Sequence, residues 1–239
     1  MGRPSNASDP DRSGAPTGLD AAAIEAGTAR PNRAGEATRS GRKRLAIVDA
    51  ATALFLREGY QGTSMEQIAT VAAVSKRTVY KHVTDKKTLF TEIVLSTIDE
   101  AQERFNTLTL RLQDTNDIEA DLAELARRYI TIVMQPQLLQ LRRIIIGESH
   151  RFPDVARTWY EQGPERVATT LGARFQQLAQ RGLLHLDDPV VAAHHFNWLI
   201  LSIPLNKVMF CSDETFTTAD LERFADDGIR VFLAAYRQP

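Results

Sequence analysis

Apolar residues recur along this chain every three or four positions, which is the period of an α-helix with one buried face. The first such face holds Ile47, Ala51 and Phe55, and its helix is predicted to end at Gly59. No alternation of period two is sustained, so the pattern predicts an all-α fold. The same period predicts further helices at roughly 86–112, 118–135, 137–149, 154–181 with a break at Gly163–Pro164, 187–210 with Pro204 inside it, and 217–236.

Two short helices follow the first one, and capping residues mark their starts. Ser64 with Gln67 three positions later has the spacing of a capping box, and Ser75 is placed to cap the next helix. Asp85 has the same relation to the long helix that follows. Residues 71–74, Val-Ala-Ala-Val, join the two short helices, which predicts a helix-turn-helix.

Charge is distributed unevenly along the 239 residues, although the net charge is only −1. The stretch 42–90 carries nine basic and four acidic residues, a net charge of +5, and residues 1–41 carry five of each. The remainder of the chain therefore carries −6. Such asymmetry predicts a small module that meets a polyanion, attached to a larger body that does not.

The basic residues of this module cluster around the second short helix. A helix that reads DNA needs polar side chains on its exposed face, with basic or hydroxyl groups at the margins to hold phosphates. A small helical core with a solvated basic face would have the same composition, so the residues alone leave both interpretations open. The cluster comprises Lys76, Arg77, Thr78, Tyr80, Lys81, His82 and Lys86.

The spacing of these residues resembles the N-terminal signature of the TetR family of bacterial transcriptional regulators. This resemblance favours DNA reading over a solvated face. It implies homodimers that bind palindromic operators, and a divergent C-terminal domain that binds small molecules and tunes DNA affinity. The matching positions are Gly59-Tyr60, Thr63-Ser64-Met65, Ile68-Ala69, Val74-Ser75, Thr78-Val79-Tyr80, His82, Asp85-Lys86 and Leu89-Phe90.

The resemblance also assigns roles to individual residues. The family's phosphate-contacting tyrosine and histidine fall on Tyr80 and His82, and its lysine at the start of the fourth helix falls on Lys86. Base readout is expected from the exposed start of the recognition helix. The predicted DNA-binding residues are Ser64, Ser75, Lys76, Arg77, Thr78, Tyr80, Lys81, His82 and Lys86.

Three positions depart from the family pattern. Ala73 occupies a turn position where Gly is common, so this turn must tolerate a side chain. Arg77 replaces a frequent Gly and adds a group able to reach guanine, so typical operators of the family are poor guides here. Val83 replaces the usual Phe and provides a smaller contact between the module and the body.

The C-terminal half resembles the AefR-like C-terminal domain of the same family, through residues 141–167 and 182–196. This resemblance implies a regulatory domain but names no effector, because ligand pockets diverge within such groups. A ligand cavity is expected where aromatic and polar groups converge. The predicted wall residues are Arg143, Trp159, His195 and Trp198.

The last two helices are predicted to form the homodimer. Each carries an apolar strip with spacings of three and four, and small residues among large ones permit close helix approach. The alternative is that both strips pack only inward. The predicted interface residues are Leu201, Leu221, Ala225, Gly228, Phe232 and Tyr236.

Other chemistry finds little support in the sequence. His194 and His195 are adjacent, so on a helix they point about 100° apart, and neither has a carboxylate at i+4. Cys211 has acidic flanks and no second cysteine, which predicts an inert thiol. No nucleophile elbow or phosphate-binding glycine loop is present. We expect no enzyme activity, no metal and no other cofactor.

Three parts are therefore predicted. Residues 1–40 hold few large apolar side chains and are expected to form a disordered tail. Residues 41–87 form the helix-turn-helix domain, and residues 88–239 form a helical regulatory and dimerisation domain. Residues 39–44, Arg-Ser-Gly-Arg-Lys-Arg, are either a flexible arm along phosphates or a solvated charge run.

The predicted function is a repressor that binds operator DNA as a homodimer and changes its affinity when a small molecule binds the C-terminal domain. A regulator without a small-molecule effector, controlled by a protein partner, is the alternative, and a body filled by large side chains would favour it. We expect a cytoplasmic protein without membrane contact, because the sequence has no apolar signal segment and no apolar run of membrane-spanning length.

Overall fold

The computed structural model describes residues 33–211 and 213–237, with side chains described from Thr38 onward. Within these ranges the regular elements are helices, and the β-type pairing is an isolated bridge between Leu184 and Arg237. The predicted all-α fold is confirmed. The helices are α1 (Arg33–Gly62), α2 (Met65–Val71), α3 (Lys76–His82), α4 (Lys86–Thr109), α5 (Ile118–Val133), α6 (Pro136–Gly147), α7 (Pro153–Tyr160), α8 (Arg166–Gln180), α9 (Pro189–Phe210) and α10 (Thr218–Tyr236).

The first helix differs from its prediction at its start. It begins at Arg33, so residues 33–40, which were expected to belong to the tail, are helical. Once the packed part of a helix has formed, each further residue adds a hydrogen bond at little cost, so a polar stretch can extend it. The rest of the expected tail, 1–32, lies outside the described residues. At the other end Gly59 has φ 72°, a left-handed conformation that bends the chain where the helix was predicted to stop.

The helix-turn-helix is built on an aromatic cluster between α1 and α4. The ring centroids of Phe55 and Phe90 are 5.2 Å apart, and those of Tyr60 and Phe90 are 5.1 Å apart. The same core continues into the body, because α6 contributes Leu141 and α7 contributes Trp159. The N-terminal domain is therefore packed directly on α6 and α7.

The predicted domain boundary at 87/88 falls inside a continuous helix. Helix α4 starts at Lys86, buries Leu89 and Phe90 in the N-terminal core, and runs on to Thr109 in the body. A 3₁₀ turn, Leu110–Leu112, ends it. Helix α4 therefore belongs both to the N-terminal core and to the body.

A second interruption lies between α7 and α8, where a break was predicted at Gly163–Pro164. The chain continues through a π-helical turn, Glu161–Glu165, with Pro164 inside it. Proline lacks the N–H that an α-helix needs at this position, and a wider turn accommodates that loss. The two helices therefore stay connected across the proline.

The body is a bundle in which α9 packs between α8 and α10, and α10 also packs on α5. Phe175, Phe196 and Phe232 from three of these helices lie with ring centroids 5.2 to 5.7 Å apart. Gly228 lets α9 and α10 come close, since a Cβ atom there would lie 2.9 Å from the carbonyl oxygen of Leu199. The absence of a side chain at Gly228 therefore permits the close packing of α9 on α10.

The predicted dimer residues lie inside this bundle, which contradicts their assignment to an interface. Five of them are buried within the chain, and Tyr236 is partly buried with its hydroxyl 2.5 Å from Nδ1 of His195. The apolar strip of α10 faces α9 and α5, so the inward-packing alternative holds for these residues. The residues that pack inward are Leu201, Leu221, Ala225, Gly228 and Phe232, and Tyr236 is partly buried.

Candidate DNA interface and ligand cavity

The two short helices are held by the caps that their sequence predicts. The backbone N–H of Gln67 donates to Oγ of Ser64 at 3.2 Å, and the Ser64 N–H donates to Oε1 of Gln67 at 2.7 Å. Ser75 accepts from the Thr78 N–H at 3.1 Å, and the two hydroxyl oxygens are 2.8 Å apart. Three of the predicted DNA-binding residues, Ser64, Ser75 and Thr78, are thus engaged in fixing the ends of α2 and α3.

The turn between α2 and α3 contains the departure noted at Ala73. This residue has φ 52°, and it is the only non-glycine residue with positive φ among those the structure describes. A side chain in this region costs of order 1–2 kcal/mol relative to the right-handed conformation. The turn therefore adopts the geometry that the family's glycine suits, at the cost of some strain.

The exposed face of α3 carries four of the nine predicted DNA-binding side chains. Arg77, Tyr80 and Lys81 are exposed, while Val79 on the opposite side is fully buried in the N-terminal core. Lys76 is also exposed and forms an ion pair with Glu66 of α2, which raises the pKa of its ammonium group. The helix therefore presents a basic and aromatic surface to solvent.

Lys86 does not share this exposed surface. Its Nζ donates to the carbonyl oxygens of Tyr60 at 2.9 Å and Thr63 at 2.7 Å, and it lies 4.4 Å from the centroid of the Tyr60 ring. Desolvation by burial, and then the nearby Arg151, lower the pKa of this lysine. Lys86, which was predicted to contact a DNA phosphate, is instead hydrogen-bonded to the end of α1.

The basic segment 39–44 lies in α1, so it is not a separate flexible arm in this structure. Arg42 and Lys43 at its end are exposed. Arg44 donates to the carbonyl oxygen of His82 at 2.9 Å and forms an ion pair with Glu92. Sequence reasoning missed this link between α1, α3 and α4, because its partners lie far along the chain and carry no local signal.

A cavity of about 410 Å³ lies in the body, between α4, α5, α6, α7, α8 and α9, with the π-helical turn in its wall. Its lining is mostly apolar and aromatic, as is usual for sites that bind small organic molecules. Exposed apolar side chains at Ile146, Tyr160 and Phe210 stand at its rim. The lining includes Ile98, Gln102, Phe105, Tyr129, Ile132, Arg142, Trp159, Val167, His194, Asn197, Trp198, Leu201 and Met209.

Two of the four predicted pocket residues line this cavity and two do not. Trp159 and Trp198 are in the wall, but Arg143 and His195 are replaced there by their neighbours Arg142 and His194. Adjacent residues on a helix point about 100° apart, so an error of one position turns a side chain away. Arg143 donates to the carbonyl oxygen of Val208 on α9, and His195 contacts Tyr236.

The cavity wall contains polar groups that the protein leaves without partners. Oε1 of Gln102 and Oδ1 of Asn197 are buried and accept no hydrogen bond from the described residues. Tyr129 and Arg142 lie close enough to influence each other, and burial raises the pKa of the tyrosine and lowers the pKa of the arginine. These groups can orient a ligand by hydrogen bonding.

Other sites are absent from the described part of the chain. Groups of three or more histidine, cysteine or carboxylate side chains able to hold a metal are not found in residues 33–211 and 213–237. None of the described helices has the length and apolar character required to cross a bilayer. Cys211 is exposed at the end of α9.

Comparison with known proteins agrees with this architecture. Residues 47–93 match the model for bacterial regulatory proteins of the tetR family, and residues 120–238 match the model for the AefR-like transcriptional repressor C-terminal domain. A helix-turn-helix domain joined to a larger helical body is the class that the fold and the site define. The chain belongs to the TetR family of transcriptional regulators, and it is a DNA-binding protein of that class.

Individual relatives cover different parts of the chain. A crystal structure of a TetR-family protein from Mesorhizobium loti MAFF303099 is 46% identical, with a TM-score of 0.78 over 83% of this chain and 98% of that chain. The flavonoid-responsive regulator FrrA is 30% identical, with a TM-score of 0.61 over 82% and 98%. YhgD of Bacillus subtilis (strain 168), an uncharacterized HTH-type transcriptional regulator, is 38% identical over 63 residues, and the chain spans 32% of its length.

Proposed function

We propose that this protein is a repressor that binds palindromic operator DNA as a homodimer and loses affinity for DNA when a small molecule enters the cavity. The observation that carries the proposal is the position of Trp159, which is buried in the core of the N-terminal domain and also lines the cavity. A ligand that displaces this side chain changes the packing beneath the DNA-reading helix. We expect the protein to act in the cytoplasm.

Two further helices connect the cavity with the N-terminal domain. Helix α4 buries Phe90 in the N-terminal core and places Gln102 in the cavity wall, and α6 buries Leu141 in that core beside Arg142 in the wall. A ligand shifts an equilibrium only as far as it binds one state better than the other. Contacts on helices that reach both regions supply such a difference.

Two side-chain contacts reinforce the connection at the end of α1. The rings of Tyr60 and Phe152 lie 4.8 Å apart in an edge-to-face arrangement, and Nε2 of Gln61 donates to Oε2 of Glu148 at 2.9 Å. Phe152 and Glu148 belong to the short connection between α6 and α7. A shift of that connection would therefore reach the end of α1, where Lys86 donates to the carbonyl oxygens of Tyr60 and Thr63.

The proposed DNA contacts follow the exposed face of α3. Arg77 is assigned to base readout, and Tyr80 and Lys81 to phosphates, because all three side chains are exposed. His82 is half-buried at the end of the helix and is assigned to a phosphate at the margin. Lys76 must exchange its ion pair with Glu66 for DNA, which reduces its net contribution.

The dimer seam is assigned to the outer faces of α9 and α10 in place of the inner strips. Trp198, Leu199 and Ile203 form an exposed apolar row on α9, and Val231 is exposed on α10. A helix with apolar residues all round requires cover on both sides. A two-fold dimer through this row would set two recognition helices about one DNA turn apart, roughly 34 Å.

A body filled by large side chains would favour the alternative, which is control by a protein partner without a small molecule. A cavity of about 410 Å³ lies within the size range of small-molecule sites. The relative FrrA is named a flavonoid-responsive regulator, which supports a small-molecule effector in a chain of related sequence. These observations favour the ligand-responsive form of the proposal.

Footprinting on the DNA upstream of the protein's own gene tests the proposal. We expect two protected half-sites related by two-fold symmetry, and loss of protection with a compound that raises the thermal midpoint of the protein. The variant Ala101→Phe places a ring in the cavity, which Ala101 lines, so it should protect the same DNA but not respond to the compound. Absence of a symmetric footprint, or protection that persists with every stabilising compound, would contradict it.

A further inference from the structure

Arg142 is the charged side chain whose position in the cavity is unusual. It lies on α6 in the cavity wall and is partly buried. Its guanidinium forms no ion pair or hydrogen bond within residues 33–211 and 213–237, and none of the described lining residues is acidic. Burial lowers its pKa, but an arginine side chain stays protonated at neutral pH. The fold therefore keeps an uncompensated positive charge at the cavity.

Several arginines of the body have partners of the kind that Arg142 lacks. Arg127 of α5 pairs with Asp226 of α10 at 2.7 Å, and Arg237 pairs with Glu119 at 3.0 Å. Arg143, the neighbour of Arg142, donates to the carbonyl oxygen of Val208. An unpaired buried charge is costly unless a partner compensates it. For Arg142 that partner has to come from outside the described chain.

The cavity also holds two acceptors that lack donors. Gln102 and Asn197 are 5% and 7% exposed, and their side-chain oxygens accept no hydrogen bond from the described residues. Nε2 of Gln102 donates to Oδ1 of Asn106 at 2.8 Å, which fixes the amide and leaves its oxygen free. Buried acceptors are normally satisfied, so two in one cavity indicate a ligand that donates hydrogen bonds.

We propose that the effector is an amphipathic organic anion, whose carboxylate or equivalent acidic group binds Arg142 and whose hydroxyl or amino groups donate to Gln102 and Asn197. The rings of Phe105, Trp159 and Trp198 contact its apolar body. Guanidinium and carboxylate form charge-assisted hydrogen bonds, frequently two in parallel. This inference rests on the proposed function only in taking the cavity as the effector site.

Calorimetric titration with three related probes tests the acidic group. The probes are 2-naphthoate, its neutral isostere 2-naphthamide, and 6-hydroxy-2-naphthoate. Wild-type protein should bind 2-naphthoate at least about tenfold more tightly than 2-naphthamide, which is the size of a charge-assisted hydrogen bond. The variant Arg142→Met should lose this preference while its affinity for 2-naphthamide stays unchanged.

Two control variants locate the effect. Arg128→Met removes an exposed arginine of α5 outside the cavity and should bind all three probes as the wild type does. Ala101→Phe should weaken all three probes together. Equal binding of naphthoate and naphthamide by the wild type, no binding of any probe, or an unchanged preference in Arg142→Met would each overturn the assignment of an anion.

The hydrogen-bond donor has its own test. The 6-hydroxyl group should improve binding of 2-naphthoate by the wild type, and the improvement should shrink in a Gln102→Leu, Asn197→Leu double variant. A hydroxyl group that gives no improvement, or one that is unaffected by the double variant, overturns the donor part. If footprints respond only to uncharged compounds, the ligand-responsive function stands and the anion proposal fails, so the two can be separated.

Discussion

The Nζ atom of Lys86 lies 2.7 Å from the carbonyl oxygen of Thr63, and this contact holds the start of α4 against the end of α1. The same atom donates to the carbonyl oxygen of Tyr60. Carbonyl groups at the end of a helix have no partners inside that helix, and a lysine side chain satisfies them. In the protein without DNA, Lys86 therefore stabilises the contact between α1 and α4, the helices that flank α2 and α3 in the chain.

The first prediction is that Lys86→Met destabilises the N-terminal domain. Loss of two charge-assisted hydrogen bonds should lower the free energy of unfolding by about 1–3 kcal/mol. The salt dependence of DNA binding should keep its slope, because no phosphate contact is removed. Thermal unfolding and binding at several salt concentrations measure the two effects.

Lys87→Met is the matched control, since Lys87 is the exposed neighbour on the same helix and faces the ring of Phe152 at 5.6 Å. It should change stability much less. A Lys86→Met protein of unchanged stability whose salt slope falls by about one contact per subunit would return Lys86 to the phosphate role that its family resemblance implies.

The second prediction separates base reading from phosphate binding on α3. Arg77→Ala should relax the preference at one operator position, at a cost of about 1–3 kcal/mol there. Lys81→Ala should weaken binding to all DNA alike and shrink the salt slope by about one contact per subunit. A competition assay over operator variants measures both, and an Arg77→Ala protein with unchanged base preference would remove Arg77 from readout.

Features set by local sequence were predicted well. The capping box at Ser64 and the caps at Ser75 and Asp85 are formed as their spacing predicts, because each joins residues within one turn. The helix period likewise located the helices of the body to within a few residues. Local signals were enough for these elements because their hydrogen bonds are local.

Features that depend on how helices are turned toward one another were predicted less well. A one-residue error exchanged Arg142 for Arg143, because the period does not show which of two adjacent arginines faces a cavity. The apolar strip of α10 was assigned outward, although Phe232 is fully buried inside the chain. Periodicity identifies an apolar face, but only the packing decides whether it meets its own chain or another.

The third prediction concerns the approach of α9 and α10. In Gly228→Ala the added Cβ would lie 2.9 Å from the carbonyl oxygen of Leu199, so the two helices must move apart. Overpacking of this kind costs about 1–3 kcal/mol, seen as a lower thermal midpoint. Gly147→Ala at the end of α6 meets nothing within 4 Å and should be neutral or stabilising. Equal midpoints for the two variants would mean that the helix contact is not tight.

The last prediction distinguishes the inner strip of α10 from its outer face. Phe232 is 0% exposed within one chain and packs against Phe175 and Phe196. Phe232→Asp would bury a carboxylate without a partner in this cluster, which costs several kcal/mol. We therefore expect loss of the folded body by circular dichroism, and not a folded monomer.

Val231 stands one position earlier and is 49% exposed, and Ile203 on α9 is 62% exposed. A charge at either position stays in solvent in the single chain, so Val231→Asp and Ile203→Asp should keep the helical content and the thermal signature of the fold. In a dimer through this face the same carboxylates would be desolvated, so the molar mass measured by light scattering should fall to that of the monomer. Operator binding should also weaken, because each helix-turn-helix domain then binds DNA without the other. Glu222→Ala replaces an exposed residue of α10 and is the control, which should alter neither the oligomeric state nor operator binding. If both aspartate variants stay dimeric with full affinity, the seam lies elsewhere on the chain, and if Phe232→Asp yields a folded monomer, the inner strip is an interface after all.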